Sequence, residues 1–512
     1  MQTERPLGLL EKFQTSKYFV NCYGAATFTT LLRHPPRPRV SASDQQHDTI
    51  KQFYLEHLYS PMIQLVQTHP QLSLVVADWT QPTIHFARLS EFDLSTIVHV
   101  DTSNKPFWDR VILSDIIAQE CDHEFDFDDH TIPLWHLRIY VHQDRLDECS
   151  LTLTSNHVVL DGSSTATFWR ELLTELNKKD DEKQNTSTIH ENYIIKSNPE
   201  KLLLGAYEDR HGPMPTSWEL LDLLMRKKLK DVLPSGWKQY WFPSGWAGDR
   251  RGVTDKAVAH HHTMTRAIEL GGTVWKNVCA TSKMHHVTPH AAIMAAMMTA
   301  FARLYQDQDH VVTHTPINCR SFCKGPPVVP QDEMGNFVGN YTHHWVSPYL
   351  NNNNLHHESD ASFWDKAKHY YDHLKMNKTQ GAKDPGKWKL APRFPEDYIK
   401  TWYDNWDANP MARSGGIQLS DLGLFHVPNN HQQHKKEEKK DMVDNGFKNS
   451  WEVQSVWFSQ SSQMMSMALS VTSVSTKSSM YSTVTWQKGA LDESKIEQFG
   501  PLVIDILQKL CQ

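Results

Sequence analysis

The sequence predicts an α/β fold built in two successive lobes, on three observations. Strand-like and helix-like runs alternate along the chain, the order strand, loop, helix occurs once in each half, and a Pro/Gly/Trp-rich passage separates the two series. The 512 residues, 39% of them hydrophobic, are enough to bury the core of one two-lobed protein or of two to three domains. Residues 1–205 are therefore expected to form the first lobe, 206–260 a crossover and 261–512 the second lobe.

In the first series, 137–141 and 150–154 carry strand-type residues. The segment 163–176 follows as a helix with Phe168, Leu172 and Leu173 on its apolar face. The passage 233–252 contains Pro-Ser-Gly-Trp twice, at 234–237 and 243–246, and two copies of four residues are too few for a repeat architecture. Beyond it, 287–303 is a helix dense in Ala and Met, 311–317 a strand, and 467–474 and 480–487 two strands joined by a Ser/Thr/Lys turn. A closing helix spans 493–510, where Gly500-Pro501 should kink or restart it. Its apolar residues Ile496, Phe499, Val503, Ile506, Leu507 and Leu510 suit docking on the core, with a lipid surface as the alternative. Three polar stretches, 177–188, 351–360 and 426–450, cannot bury apolar area and read as surface insertions.

Charge and composition exclude several functions. With 52 Lys and Arg against 59 Asp and Glu the formal charge is −7, which disfavours a nucleic-acid surface. The longest nearly unbroken apolar run, 291–302, is far short of the roughly 20 residues of a membrane helix. The amino terminus lacks a signal or transit pattern, and the seven cysteines are odd in number and scattered, so a cytoplasmic protein with reduced thiols is expected. Despite 30 histidines there is no His-Glu-x-x-His, and the adjacent pairs such as His343/His344 lack ligand spacing, so no metal site is expected.

The informative segment is Ser150-Leu-Thr-Leu-Thr-Ser-Asn-His157-Val-Val-Leu-Asp161-Gly162. It places an imidazole where a strand ends and a helix begins, a common location for sites in α/β folds, with Gly162 allowing a tight turn. His356-His-Glu-Ser-Asp360 has the same spacing but lacks the glycine and follows four asparagines. A neutral imidazole, with an ordinary pKa of about 6.5, suits proton abstraction from a hydroxyl at neutral pH.

This segment resembles the active-site motif of the CoA-dependent acyltransferase superfamily, which includes chloramphenicol acetyltransferase, plant BAHD acyltransferases, peptide-synthetase condensation domains and fungal alcohol acetyltransferases. Further stretches agree in order: Pro133-Leu-Trp-His-Leu-Arg138-Ile, Val287-Thr-Pro-His-Ala-Ala, Thr315-Pro-Ile-Asn-Cys-Arg320, Met334-Gly335-Asn336-Phe337-Val338-Gly339-Asn340-Tyr341, and Leu419-Ser420-Asp421-Leu422-Gly423, which is similar to a Ser-Asn-Leu-Gly turn. The opening Arg5-Pro-Leu-Gly-Leu-Leu-Glu-Lys-Phe13 and the region Trp457-Phe-Ser-Gln-Ser-Ser-Gln463 look most like the fungal alcohol acetyltransferase branch. The Asp-Phe-Gly-Trp-Gly box of the plant enzymes is absent, Asn156 stands where condensation domains carry a first histidine, and Asp421 replaces an asparagine.

The resemblance implies two chloramphenicol-acetyltransferase-like lobes with mixed β-sheets and an interlobe substrate tunnel. It implies acetyl transfer from acetyl-CoA, a co-substrate rather than a tightly bound cofactor, to an alcohol, giving an acetate ester. An amine or xenobiotic acceptor and a non-catalytic binding protein on the same scaffold are the alternatives. On this resemblance His157 is the general base, and Asp161 turns away from substrate to pair with Arg320. Ser459 and Ser462 are oxyanion-stabilising candidates, and Gly335, Asn336 and Asn340 belong to the tunnel on the CoA side. A monomer is expected, with peripheral association at a lipid droplet or the endoplasmic reticulum as a further possibility.

Overall fold

The computed structural model describes residues 1–22, 24–39, 45–178, 192–234, 237, 241, 245–251, 262–346, 349–350, 360–409, 411–428, 450–462 and 465–510. In chain order the first half holds β1 (Gln2–Pro6), α1 (Leu9–Ser16), β2 (Ala25–Arg33), α2 (Gln45–Thr68), β3 (Leu74–Ala77), β4 (His85–Arg88), β5 (Glu91–Asp93), α3 (Leu94–Ile97), β6 (Val98–Ser103), α4 (Arg110–Cys121), β7 (Trp135–His142), β8 (Glu148–Asn156), α5 (Gly162–Leu176) and β9 (Ile194–Lys196). The second holds α6 (Ser217–Val232), β10 (Thr263–Gly271), α7 (Gly272–Met284), α8 (Pro289–Leu304), β11 (His310–Asn318), β12 (Val338–Val346), α9 (Asp360–Ala382), α10 (Glu396–Ala408), β13 (Gly415–Leu424), β14 (Glu452–Gln460), β15 (Met467–Ser475), β16 (Ser479–Gln487) and α11 (Glu493–Leu510). The strands and helices expected from periodicity are all present, most of them a few residues longer. Much of the three expected polar insertions lies outside the described residues.

Two mixed sheets organise the lobes. The first has the order β14-β2-β8-β7-β6, antiparallel except for the parallel pair β6/β7. The second has the order β10-β16-β15-β13-β11-β12, in which β13 runs parallel to both β15 and β11. Strand β8 is central and covered on both faces: Leu151 and Leu153 on one side and Thr152 and Thr154 on the other are all buried. The buried hydroxyls find partners inside the sheet, as Thr29 Oγ1 and Thr152 Oγ1 do at 2.9 Å.

In its last quarter the chain leaves the second sheet for the first and then returns. Strand β14, from within 261–512, pairs with β2 and becomes an edge of the first sheet, with Trp457 opposite Thr29. Two buried threonines of the second sheet hold it there: Thr472 Oγ1 and Thr483 Oγ1 donate to the Phe458 carbonyl at 2.6 and 2.9 Å.

Pro289 occupies the first turn of α8, where its missing N–H costs nothing, and Thr288 caps the helix. Every residue from Ala291 to Ala302 is buried, between the second sheet, α9 and α11. Small Ala and adaptable Met let the neighbouring helices approach closely. Helix α11 runs unbroken through Pro501, so the expected restart does not occur. Its residues Ile496, Phe499, Val503, Ile506 and Leu507 are buried in the core, which leaves little of this face for lipid. The segment expected as a Ser-Asp-Leu-Gly turn is instead the bulged end of β13, with the register shift falling between Asp421 and Leu424. No described helix is long and apolar enough to cross a membrane.

The Phe458 carbonyl joins the two sheets, so Thr472→Val should destabilise the protein by about 1–3 kcal/mol. A lower urea midpoint at unchanged slope checks this. A wild-type midpoint would mean that the sheets are held together elsewhere.

Candidate functional site

A cavity of about 680 Å³ opens between the lobes, and His157, Asp161 and Gly162 are on its wall. Strand β8 delivers the motif, and the loop after it is pinned at both ends. The His157 N–H donates to the Gly24 carbonyl at 2.8 Å, and its carbonyl accepts from Asn336 Nδ2 at 2.8 Å. Asn156 is structural: its Oδ1 accepts from the Val158 N–H at 2.9 Å and its Nδ2 donates to the Tyr18 hydroxyl at 2.6 Å.

Asp161 starts α5 as its capping residue, with Oδ1 accepting from the N–H and the hydroxyl of Ser164, both at 2.8 Å. The same carboxylate receives both terminal nitrogens of Arg320 at 2.9 Å and the Phe337 N–H at 3.1 Å. Arg320 is 0% exposed and Asp161 1%. Burial works against ionising this carboxyl, but Arg320 and the N–H donors hold it below its usual range. Arg320 also donates through Nε to the Glu333 carbonyl at 2.8 Å, so one guanidinium ties the end of β8 to the chain before β12.

Gly162 is not in the left-handed region, so tight-turn freedom is not what it supplies. A Cβ there would lie 2.8 Å from Leu422 Cδ2 and 2.9 Å from Phe458 Cζ, where β13 and β14 press against the motif. Gly335, at φ 140°, does need its conformational freedom, and its carbonyl accepts the Asp161 N–H at 3.1 Å. Gly335 and Asn336 thus stand behind the motif rather than along the cavity. Asn340 does line the cavity, donating through Nδ2 to His314 Nδ1 at 2.8 Å.

The two oxyanion-stabilising candidates do not reach the cavity. Side chains alternate along β14, so Phe458 and Gln460 face it while Ser459 points the other way, its hydroxyl accepting from Cys121 Sγ at 3.5 Å. Ser462 meets Thr263 Oγ1 at 3.3 Å.

Lys17 escaped sequence reasoning. Leu10, Phe13, Gln14 and Lys17 share one face of α1 and the 3-10 turn after it, and all line the cavity. Lys17 is 5% exposed, has no carboxylate partner among the described residues, and lies 5.7 Å from the Phe13 ring centroid. Burial pushes its pKa down to about 8. The other two lysines of the cavity wall, Lys227 and Lys387, pair with Asp404 and Asp384. A lone lysine seven residues after a leucine gives no signal in sequence that separates it from a surface charge. Asp421, in the asparagine position, is also on the wall; burial opposes its ionisation, but His290 Nδ1 at 3.2 Å and Ser473 keep its carboxyl below the usual range.

The His157 imidazole is pushed down to about 4, first by burial and then by the charge of Lys17, while its own carbonyl and Asp161 pull the other way. It is therefore neutral at pH 7. Burial pushes the Cys22, Cys121, Cys149 and Cys319 thiols up to about 12, and none of the described cysteines lines the cavity. No three His, Cys, Asp or Glu side chains converge to hold a metal ion among the described residues.

Comparison with known proteins adds three findings. Residues 108–502 match the family model described as alcohol acetyltransferase. A probable alcohol acetyltransferase of Fusarium pseudograminearum is 24% identical over 397 residues, 71% of this chain and 69% of that protein. Among solved structures, trichothecene 15-O-acetyltransferase from Fusarium sporotrichioides superposes with a TM-score of 0.66 at 11% identity, covering 99% of this chain and 95% of that one. The epimerization domain from the third module of tyrocidine synthetase B gives 0.58 at 12% identity, covering 100% and 97%.

Removing Arg320 leaves a buried carboxylate unpaired, so Arg320→Ala should cost about 3–5 kcal/mol. Added to Asp161→Asn it should cost much less than the sum, because both changes disrupt one unit. The Asp161 pKa is lower folded than unfolded, so its stabilisation is complete above its unfolded value of about 3.9 and fades as pH falls through the folded value. Denaturation midpoints of the four proteins from pH 7 downward check this; additive losses would mean that the two side chains act separately.

Proposed function

The chain belongs to the alcohol acetyltransferase family and is an acyltransferase, and on that premise we propose that it moves an acetyl group from acetyl-CoA to the hydroxyl of a small or medium alcohol. The observation that carries this is the neutral imidazole of His157 on the wall of an interlobe cavity, with its loop pinned at both ends. Nδ1 is sealed and has no hydrogen-bond partner among the described residues, so Nε2 is left to take a proton from the acceptor.

In the proposed reaction the acceptor oxygen bonds to the thioester carbon as His157 takes the hydroxyl proton. The tetrahedral oxyanion then collapses, the carbon–sulfur bond breaks, and the proton passes from the imidazolium to the leaving thiolate. Gln460 occupies the cavity face of β14 where the serines were expected, and it is the donor we assign to the oxyanion. Asp161 contributes through position alone, since both of its oxygens are taken by Arg320, Ser164 and Phe337. The high thiol pKa values leave direct attack by the acceptor as the path that these residues support.

Purified protein supplied with acetyl-CoA and matched alcohols and amines tests this, with free CoA and product mass as readouts. An acetate ester and intersecting initial-rate lines are expected. Amide products alone would replace the acceptor class, and a trapped acetyl-enzyme with parallel lines would overturn direct transfer.

His157→Ala should lower kcat by roughly two to four orders of magnitude in a protein that still folds, whereas His356→Ala should leave it unchanged. The base works when unprotonated and its pKa is about 4, so kcat/KM should stay level from pH 7 down to about 5 and fall below about 4. Lys17→Met removes a charge that depresses this pKa, so the acid limb should move upward. An unmoved limb in that variant would separate Lys17 from the base.

A further inference from the structure

Helix α6 carries two apolar faces. Leu220 and Leu223 are half-buried, and Leu223 and Leu224 line the cavity. At 100° per residue, Trp218, Leu221, Met225, Leu229 and Val232 fall within about 80° of one another on the opposite side of the helix. This second stripe is open to solvent: Trp218 is 79% exposed, Met225 58% and Val232 78%. Trp237 and Trp241, a few residues on, are 61% and 59% exposed. Five of the seventeen exposed large apolar residues among those described thus lie on this one stripe, which makes it a patch rather than scatter.

Charge favours one occupant. Four cations, Arg226, Lys227, Lys228 and Lys230, crowd five positions of a chain whose net charge is −7. On the wheel Lys228 flanks the apolar stripe on one side, and Arg226 and Lys230 lie beyond its other side. Lys228 and Lys230 have no ion-pair partner among the described residues. A second copy docked face to face would bring these like charges together. An anionic bilayer satisfies both features, because apolar and indole side chains enter the headgroup boundary while lysines reach lipid phosphates and carboxylates.

We propose that α6, with Trp237 and Trp241, is a docking surface for anionic lipid membranes that sets the cavity mouth against the bilayer. One helix then faces lipid with one side and the cavity with the other. Resting on the function proposed above, this makes the acceptor an apolar alcohol that partitions into membranes and enters from them. The element is internal, unlike the closing helix α11, whose apolar residues are spent on the core.

The test is flotation of the full-length protein with vesicles of phosphatidylcholine alone, or with about one third phosphatidylserine. The protein should bind the anionic vesicles at least about tenfold more tightly and be released by salt. Leu221→Asp with Met225→Asp should lose about tenfold or more of that binding and keep its vesicle-free rate on a water-soluble acceptor. Lys228→Glu with Lys230→Glu should abolish the preference for anionic lipid. Absence of flotation, or undiminished flotation of the Leu221/Met225 variant, would overturn the proposal, as would a concentration-dependent dimer that this variant dissolves. Flotation does not depend on turnover, so a protein that binds vesicles but releases no CoA with any acceptor would refute the acetyl-transfer reading and leave the docking surface standing.

Discussion

Everything at the site depends on one buried ion pair. Two fully desolvated charges are expensive unless every lone pair and N–H is used, and here the Asp161 carboxylate takes Arg320, Ser164 and Phe337 while Arg320 also donates to the Glu333 carbonyl. The pair joins the end of the first sheet's central strand, the start of α5 and the chain entering β12. A histidine on a surface loop would sample many orientations. On a loop whose C-terminal end is locked in this way, and whose own N–H and C=O are both bonded, it has few.

The two sheets that flank the cavity are tied together where an edge strand of the first meets hydroxyls of the second. Strand β14 leaves the second half of the chain to pair with β2, and the Phe458 carbonyl accepts hydroxyls from β15 and β16. That crossing places Phe458 and Gln460 opposite the motif and brings β13 and β14 so close that a Cβ at position 162 would collide with Leu422 and Phe458. The glycine of the motif is thus a packing requirement imposed by the other lobe.

Electrostatically the cavity is tuned by burial more than by partners. Desolvation is the first cause of the depressed basicity of both His157 and Lys17, and a buried ammonium with no carboxylate partner among the described residues reinforces the neutrality of the imidazole. This arrangement exchanges basicity for a large unprotonated fraction at neutral pH, which is the form that can accept a proton.

Much of this was legible in the chain itself. The strand at β8 and the Ala/Met helix before residue 303 were legible because local periodicity is a property of neighbouring residues, and His157, Asp161, Gly162 and Arg320 were singled out by a short motif and by the family resemblance. What the sequence could not convey was set by contacts hundreds of residues apart. Ser459 turned away from the cavity because the register of β14 against β2 decides which side chains face it, and Ser462, past the end of that strand, is held by Thr263. Lys17 became a buried cation only in the folded chain, and the apolar stripe of α6 became unusual only because it stays exposed among the described residues. Burial is a property of the assembled molecule, and it determined which of these residues carry charge, which line the cavity and which remain open to a partner.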